Sequence, residues 1–237
     1  MKPYYEHAGI TIYHGDCCDV LPVVGQVDHV ITDPPYSART HAGHDASAKG
    51  HKGVGYDGAA RKELGYACWT ADDVTRYVPV LCASAKGWVV IMTDDALAIP
   101  IKTVMEMCGR YAFAALPWFV PGSRVRLSGD GPSSWTTWIM VSRTAAQAKW
   151  GTLPGGYMQR GVQLHMGGKP EELMTALLSD YSRHGDTVCD PFMGSGTTLA
   201  AAKRLGRKAI GIEREERYCE IAAKRLAQEA LPLEMGA

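Results

Sequence analysis

The chain has 237 residues, 46% apolar and 21% charged, proportions of a folded globular protein that exclude wholesale disorder and fibrous repeats. Twenty-five basic side chains balance twenty-five acidic ones, so no global field draws in a polyanion and any nucleic-acid site must be a local patch. The absence of a signal-peptide pattern and of any long apolar run sets the expectation of a cytoplasmic protein without membrane contact.

Apolar runs rich in Val, Ile and aromatics predict seven strands, at residues 9–14, 27–32, 88–93, 111–119, 136–142, 186–189 and 208–212. Helical periodicity falls between several of them. The first helix covers 70–86, where Thr70 and Asp73 have capping-box spacing before Val74, Tyr77, Val78 and Leu81. A second covers 94–108. The third, 169–184, has Pro170 near its first turn, Leu173, Leu177 and Tyr181 on one face, and Gly185 just past its end. Two more, 197–205 and 214–230, complete the set. Strands alternating with helices predict an α/β, doubly wound, mostly parallel sheet that binds ligands at the carboxyl ends of its strands, in a single domain spanning 1–237. Two stretches fit neither period, 37–66 and 120–168, and loops of that length in a compact domain usually carry function.

Three places in this pattern carry chemistry. Asp190-Pro191-Phe192-Met193-Gly194-Ser195-Gly196-Thr197 follows a strand and opens a helix, so the two glycines allow a sharp bend and close backbone approach to a ligand. Glu213, at the end of the next strand, is placed to accept from both hydroxyls of a ribose. No Gly-Lys-Ser/Thr follows the turn and Leu199 stands where a dinucleotide fingerprint has its third glycine, so a nucleoside cofactor fits better than a phosphate chain. Asp33-Pro34-Pro35-Tyr36 stands directly after a buried-looking strand. Its prolines remove donors, the Asp33 carboxylate and Pro34 carbonyl form a purely acceptor pair suited to an amino group, and Tyr36 offers a face to a planar ring. The seven scattered cysteines, none in a C-x-x-C pair, read as reduced core thiols, and no metal site is expected.

Together the two motifs resemble those of the amino-group DNA methyltransferases. With Asp-Pro-Pro-Tyr N-terminal and the Gly turn C-terminal, the order is similar to the circularly permuted β class of that family. The resemblance implies a Rossmann-like methyltransferase fold, S-adenosylmethionine as cofactor, and double-stranded DNA as partner, with a homodimer as a compatible assembly. It implies a catalytic set of Asp33, Pro34, Pro35 and Tyr36, in which the adenine N6 hydrogens are held by Asp33 and Pro34. His14-Gly15-Asp16-Cys17 is similar to the family's short acidic motif, which implies that Asp16 accepts from the cofactor's adenine amine with the Cys17 backbone nearby. Asp33, Asp190, Phe192, Gly194, Ser195, Gly196, Thr197 and Glu213 complete the implied cofactor set. Lys169 joins it through the similarity of His165, Lys169 and Pro170 to a motif preceding the first cofactor strand, although glycines at 167 and 168 replace the family's usual Thr.

Between Pro121 and Arg160 the basic residues Arg124, Arg126, Arg143, Lys149 and Arg160 face a single acid, Asp130. The 37–66 segment adds Arg39, Lys49 and Lys52, and these two segments are the expected target-facing loop and target-recognition segment. Its histidines, His41, His44 and His51, have no metal-ligand spacing. The resulting expectation is a site-specific adenine-N6 methyltransferase of a restriction system or a phage. Cytosine N4 is the alternative target, followed by an RNA or protein amide nitrogen and by a DNA-binding module without turnover. Asp rather than Ser before Pro-Pro-Tyr leans towards adenine.

Overall fold

The computed structural model describes residues 1–38, 40, 68–119, 136–145, 150–159 and 169–228. In chain order the elements are β1 (Tyr5–His7), β2 (Ile10–His14), α1 (Cys17–Val24), β3 (His29–Thr32), α2 (Ala71–Ser84), β4 (Val89–Thr93), α3 (Asp95–Met107), β5 (Tyr111–Ala112), β6 (Leu116–Phe119), β7 (Thr136–Arg143), α4 (Glu171–Tyr181), β8 (Thr187–Asp190), α5 (Thr197–Arg204), β9 (Lys208–Glu213) and α6 (Glu216–Ala227). The strands form one sheet in the order β1-β2-β9-β8-β3-β4-β7-β5, with β6 also on β7. Its centre, β2-β9-β8-β3-β4, is parallel. The outer strands β1, β5, β6 and β7 pair antiparallel.

Burial on both faces explains the strand sequences. β3 and β4 are buried at every position, as unbroken Val/Ile-rich runs require. Successive residues serve opposite cores: Ile31, Val90 and Met92 join one, with Leu173, Leu177, Leu199 and Ala222 of α4, α5 and α6. Val30, Val89 and Ile91 join the other, with Val20, Val74, Leu81 and Ile101 of α1, α2 and α3. The order reverses between β3 and β8, since the chain runs outward from β3 through α2 to β4 and outward from β8 through α5 to β9. Ligands of doubly wound sheets bind where the order reverses.

The sheet has more strands than the seven expected. β1 is the strand not anticipated, being three residues long with two of the three exposed and polar. The run at 111–119 divides into β5 and β6. Ala112 faces Ser142 and Leu116 faces Ile139, so the edge strand carries one residue more than its partner between those pairs, a bulge. α1 was likewise not expected. It is an eight-residue helix with Pro22 inside, capped by Asp16, whose side chain accepts from the Cys18 amide. The Thr70/Asp73 capping box and the helix started by Pro170 are present as the sequence indicates.

Two buried polar groups hold the amino-terminal edge of the sheet. The Arg110 guanidinium donates to the carbonyls of Cys82, Ala85, Gly87 and Ser142 and to the Ser142 hydroxyl, joining the end of α2 to β7. Carbonyls and one hydroxyl face its charge there, assisted by the negative end of the α2 dipole. His29 Nε2 lies 3.1 Å from Asp186 Oδ2, and its Nδ1 accepts from the Trp88 amide at 3.0 Å. A Cβ on Gly87 would stand 2.5 Å from the His29 ring, so glycine is required there.

Arg110→Ala removes five donors at once, and stability should fall by about 3–5 kcal/mol in urea unfolding. Burial pushes the His29 pKa below 6.5 despite Asp186. The unfolded state therefore takes its proton first, and the stability contributed by the neutral imidazole, complete above about pH 6.5, is lost as pH falls below that value. Urea midpoints at about pH 7.5 and 5.5 should show a smaller acid loss in His29→Gln than in the parent.

Candidate active site

Every strand of the parallel centre ends on an acidic residue or is followed by one within two positions. Asp16 follows β2, Glu213 ends β9, Asp190 ends β8, Asp33 follows β3 and Asp94 follows β4. The carboxyl edge is thus a row of five carboxylates in the spatial order 16, 213, 190, 33, 94. What each carboxylate already holds determines what it can still do.

Asp190 is buried, and its oxygens are committed within the protein. Oδ1 accepts from the Thr32 hydroxyl at 2.6 Å and the Phe192 amide at 3.1 Å, while Oδ2 accepts from the Thr198 hydroxyl at 2.5 Å. Burial raises its pKa to about 6, against the pull of those three hydrogen bonds. Its geometry is that of an organiser of the Gly turn. Gly194 (φ +50) and Gly196 (φ +79) occupy left-handed backbone, which a β-carbon would strain. A Cβ on Gly196 would meet that of Ala222 at 2.9 Å, whereas one on Gly194 would meet nothing within 4 Å, so the turn is packed on one side and open on the other. Ser195 is buried, and the Thr197 hydroxyl accepts from Arg225 at 3.2 Å. Glu213 braces the open side, accepting from the Gly194 amide at 3.1 Å and the Glu215 amide at 2.8 Å. Burial raises its pKa, and those amides oppose the rise.

Asp33-Pro34-Pro35-Tyr36 leaves β3 on the other side of the switch point. Asp33 Oδ1 accepts from the Tyr36 hydroxyl at 2.9 Å and Oδ2 from Lys169 Nζ at 2.5 Å. Lys169 Nζ also stands 4.7 Å from the centroid of the Tyr36 ring. The structure therefore brings Lys169 to Asp33 and Tyr36, the side assigned to the target, although the resemblance grouped it with the cofactor residues. Burial drives the Tyr36 pKa well above 10, so the phenol stays protonated and donates.

Beyond β2, Asp16 caps α1 through the Cys18 amide at 2.9 Å and accepts from the Tyr77 hydroxyl at 3.2 Å. Tyr77 stacks on Trp69, with centroids 5.3 Å apart and planes 8° from parallel, and Phe192 meets both rings edge-on. This aromatic wall joins the Asp16 helix to the Gly turn. Asp16, Cys17 and Cys18 place three potential ligand atoms within 4.8 Å of one another. Burial raises the pKa of both thiols, which disfavours the thiolates a metal needs.

Sequence reasoning missed Trp69, Tyr77 and Asp94 as site residues. Trp69 pairs with Ser37, its amide donating to the Tyr36 carbonyl at 3.0 Å, and Tyr77 had been read only as the apolar face of a helix. Asp94 caps α3 and also accepts from the Ser37 amide at 2.9 Å, the Ser37 hydroxyl at 2.5 Å and the Thr40 hydroxyl at 2.6 Å, pinning the segment after Tyr36. The only signal was an Asp at a strand end before a helix. Arg143 requires a correction as a DNA-facing residue. β7 runs antiparallel to β4, with Trp138 opposite Thr93 and Ser142 opposite Val89, so Arg143 sits at the amino-terminal edge, away from Asp33 and Glu213. There its guanidinium lies 5.3 Å from the Tyr111 ring centroid. Arg39, Lys49, Lys52, Arg124, Arg126 and Lys149 lie outside the described residues, as do His165 and most of 37–66 and 120–168.

Residues 128–224 match the family model described as DNA methylase, N6_N4_Mtase. The type II methyltransferase M.HinfI of Haemophilus influenzae is 47% identical over 70 residues, 30% of this chain. That stretch is 20% of the relative's length, so the chain matches about a fifth of it. Among solved structures, the M1.HpyAVI–SAM complex superposes with a TM-score of 0.66 at 24% identity, covering 92% of this chain and 99% of that one. The cytosine-N4-specific PvuII DNA methyltransferase superposes with a TM-score of 0.71 at 16% identity, covering 97% of this chain and 90% of that one. At those identities the likeness is one of fold. In its matched region the chain is similar to the N6/N4 DNA methylases, and its fold is the one those solved methyltransferases share.

Proposed function

We propose that the protein transfers a methyl group from S-adenosylmethionine to the exocyclic N6 of adenine in double-stranded DNA. The observation that carries this reading is the joint between the two motifs. Asp33-Pro34-Pro35-Tyr36 and the Gly194–Gly196 turn stand on neighbouring strands β3 and β8 and are tied by the 2.6 Å Thr32–Asp190 hydrogen bond. Acceptors for an amine and a turn for a nucleoside cofactor therefore face one crevice.

The residues present fit the cofactor. The open side of Gly194 leaves room for close approach, and Glu213 keeps lone pairs beyond those given to two amides, enough to accept from ribose hydroxyls. Asp16 and the Trp69–Tyr77–Phe192 wall offer an acceptor and an apolar flank to an adenine ring. When bound, S-adenosylmethionine supplies a methyl on a sulfonium, already electrophilic. The protein's task is placement, worth roughly 7–11 kcal/mol when the reacting groups are held in line. Asp33 and the Pro34 carbonyl hold the amine hydrogens, which favours a pyramidal and hence nucleophilic nitrogen. The Tyr36 ring stacks on the extruded base and offsets part of its unstacking cost, by about 1–3 kcal/mol.

The described residues flanking two of the segments outside the described set support DNA at this edge. Phe119 and Thr136, either side of 120–135, pair with each other near Thr93, and Ser37 and Trp69 pair beside Tyr36. With Arg143 removed from the set, Arg39, Lys49, Lys52, Arg124, Arg126 and Lys149 remain the proposed phosphate contacts. Cytosine N4 is the second reading, favoured by the fold shared with the cytosine-N4-specific PvuII enzyme.

Glu213→Ala should weaken S-adenosylmethionine binding about tenfold or more by calorimetry, since the brace on the Gly194 amide goes with the ribose acceptor. Asp33→Ala should keep cofactor affinity within about threefold and lower methyl transfer by roughly 100-fold or more. Mass spectrometry of nucleosides from treated DNA should give N6-methyladenine. N4-methylcytosine would select the second reading, and the absence of both would overturn DNA amine transfer.

A further inference from the structure

The seat assigned to the target base is already taken by a side chain of the protein. Asp33 has one oxygen on the Tyr36 hydroxyl and the other on Lys169 Nζ, and the same ammonium stands over the Tyr36 ring. Two of the features that would receive an aminated base, the carboxylate oxygen and the ring face, are thus satisfied by one group. The Lys169 side chain is only 12% exposed, unusual for a lysine. Its backbone is anchored, because Pro170 starts α4 and Leu173 and Met174 of that helix are buried in the core.

We infer that Lys169 is a built-in stand-in for the target base, occupying the Asp33–Tyr36 seat until an aminated aromatic ring displaces it. The inference rests on the methyltransferase reading and adds to it the event that precedes transfer. The ammonium makes two of the contacts the base would make. It donates an N–H to the carboxylate and presents positive charge to the ring's electron-rich face. It is also replaceable. A flexible four-carbon stem lets the head swing into water while the backbone stays fixed, and its rehydration offsets the lost ion pair. The base brings a larger stacking area to the same spot. Until it does, the occupied seat keeps Asp33 paired rather than bare in a half-buried crevice, where an isolated carboxylate is costly.

Self-occupation has a measurable consequence. Apparent affinity for a ligand is multiplied by the fraction of molecules whose site is vacant, so a seat free about a tenth of the time weakens base entry about tenfold. The test uses the full chain, unmodified genomic DNA of mixed sequence and S-adenosylmethionine, comparing Lys169→Ala, Lys169→Met and Lys169→Arg with the parent. In Lys169→Ala the KM for DNA should fall about five- to tenfold, with the calorimetric Kd for S-adenosylmethionine within about twofold of the parent. Lys169→Met keeps the stem and should lower KM about threefold, which covers the case in which the alanine variant fails to fold. Lys169→Arg keeps a cation in the seat and should leave KM at or above the parent's. A KM that stays constant or rises in both neutral variants overturns the inference. So does cofactor affinity weakened about tenfold in them, which would move Lys169 to the cofactor side. Failure of the methyltransferase reading is distinguishable, because it appears in the parent as cofactor binding without methyl transfer to DNA.

Discussion

A carboxylate buried at the point where the strand order reverses holds the site together. Asp190 joins β3 through Thr32, its own turn through the Phe192 amide and α5 through Thr198. Three hydrogen bonds do not fully replace the lost hydration, and its pKa of about 6 records the remaining cost. The cost is localised where the two half-sheets meet, at the β3–β8 pair. Without that tie, the acceptor loop on β3 and the glycine turn on β8 would share a crevice but not a fixed separation.

The other carboxylates of the row follow the same logic at lower burial. Asp94 fixes the segment beyond Tyr36, and Glu213 fixes the open side of the turn. Asp16 ties α1 to the aromatic wall. The amino-terminal edge is built differently, by Arg110 on backbone carbonyls and His29 on an amide and Asp186. The sheet thus concentrates acceptors at one end and keeps the other closed, which is why Arg143, basic and in a basic stretch, does not bear on the site.

Much of this was legible in the sequence because the strongest signals are local. The Gly194–Gly196 turn between a strand and a helix, Glu213 at the next strand end, and Asp-Pro-Pro-Tyr after a buried run each carry their meaning within a few residues. The other five helices, the eight-residue α5 among them, could be read from capping, periodicity or the turn that opens them. α1 could not, since eight residues containing Pro22 give little periodic signal and its cap, Asp16, was read only as a site residue. The place of Lys169 was also hidden, because its contact with Asp33 spans 136 positions and depends on where α4 docks. Tyr77 is ambiguous for a related reason, since an aromatic on a helix face looks the same whether it fills a core or lines a crevice, and Trp69 stands outside the helix in a bridge to Ser37 that no local pattern announces. Arg143 shows the limit of charge counting, which registers composition but not strand direction.

The pairing of Phe119 with Thr136 gives the sheet a fixed frame beside the crevice. Strands β6 and β7 clamp both ends of whatever sequence connects them, so the connection can change in length and chemistry while the catalytic edge keeps its register. Closing a longer connection is inexpensive, about 0.6 kcal/mol for each doubling of its length. On the proposed function, selection can then exchange residues that read a DNA sequence as a cassette, leaving the transfer chemistry untouched. A common chemical core could in this way serve many recognition sequences.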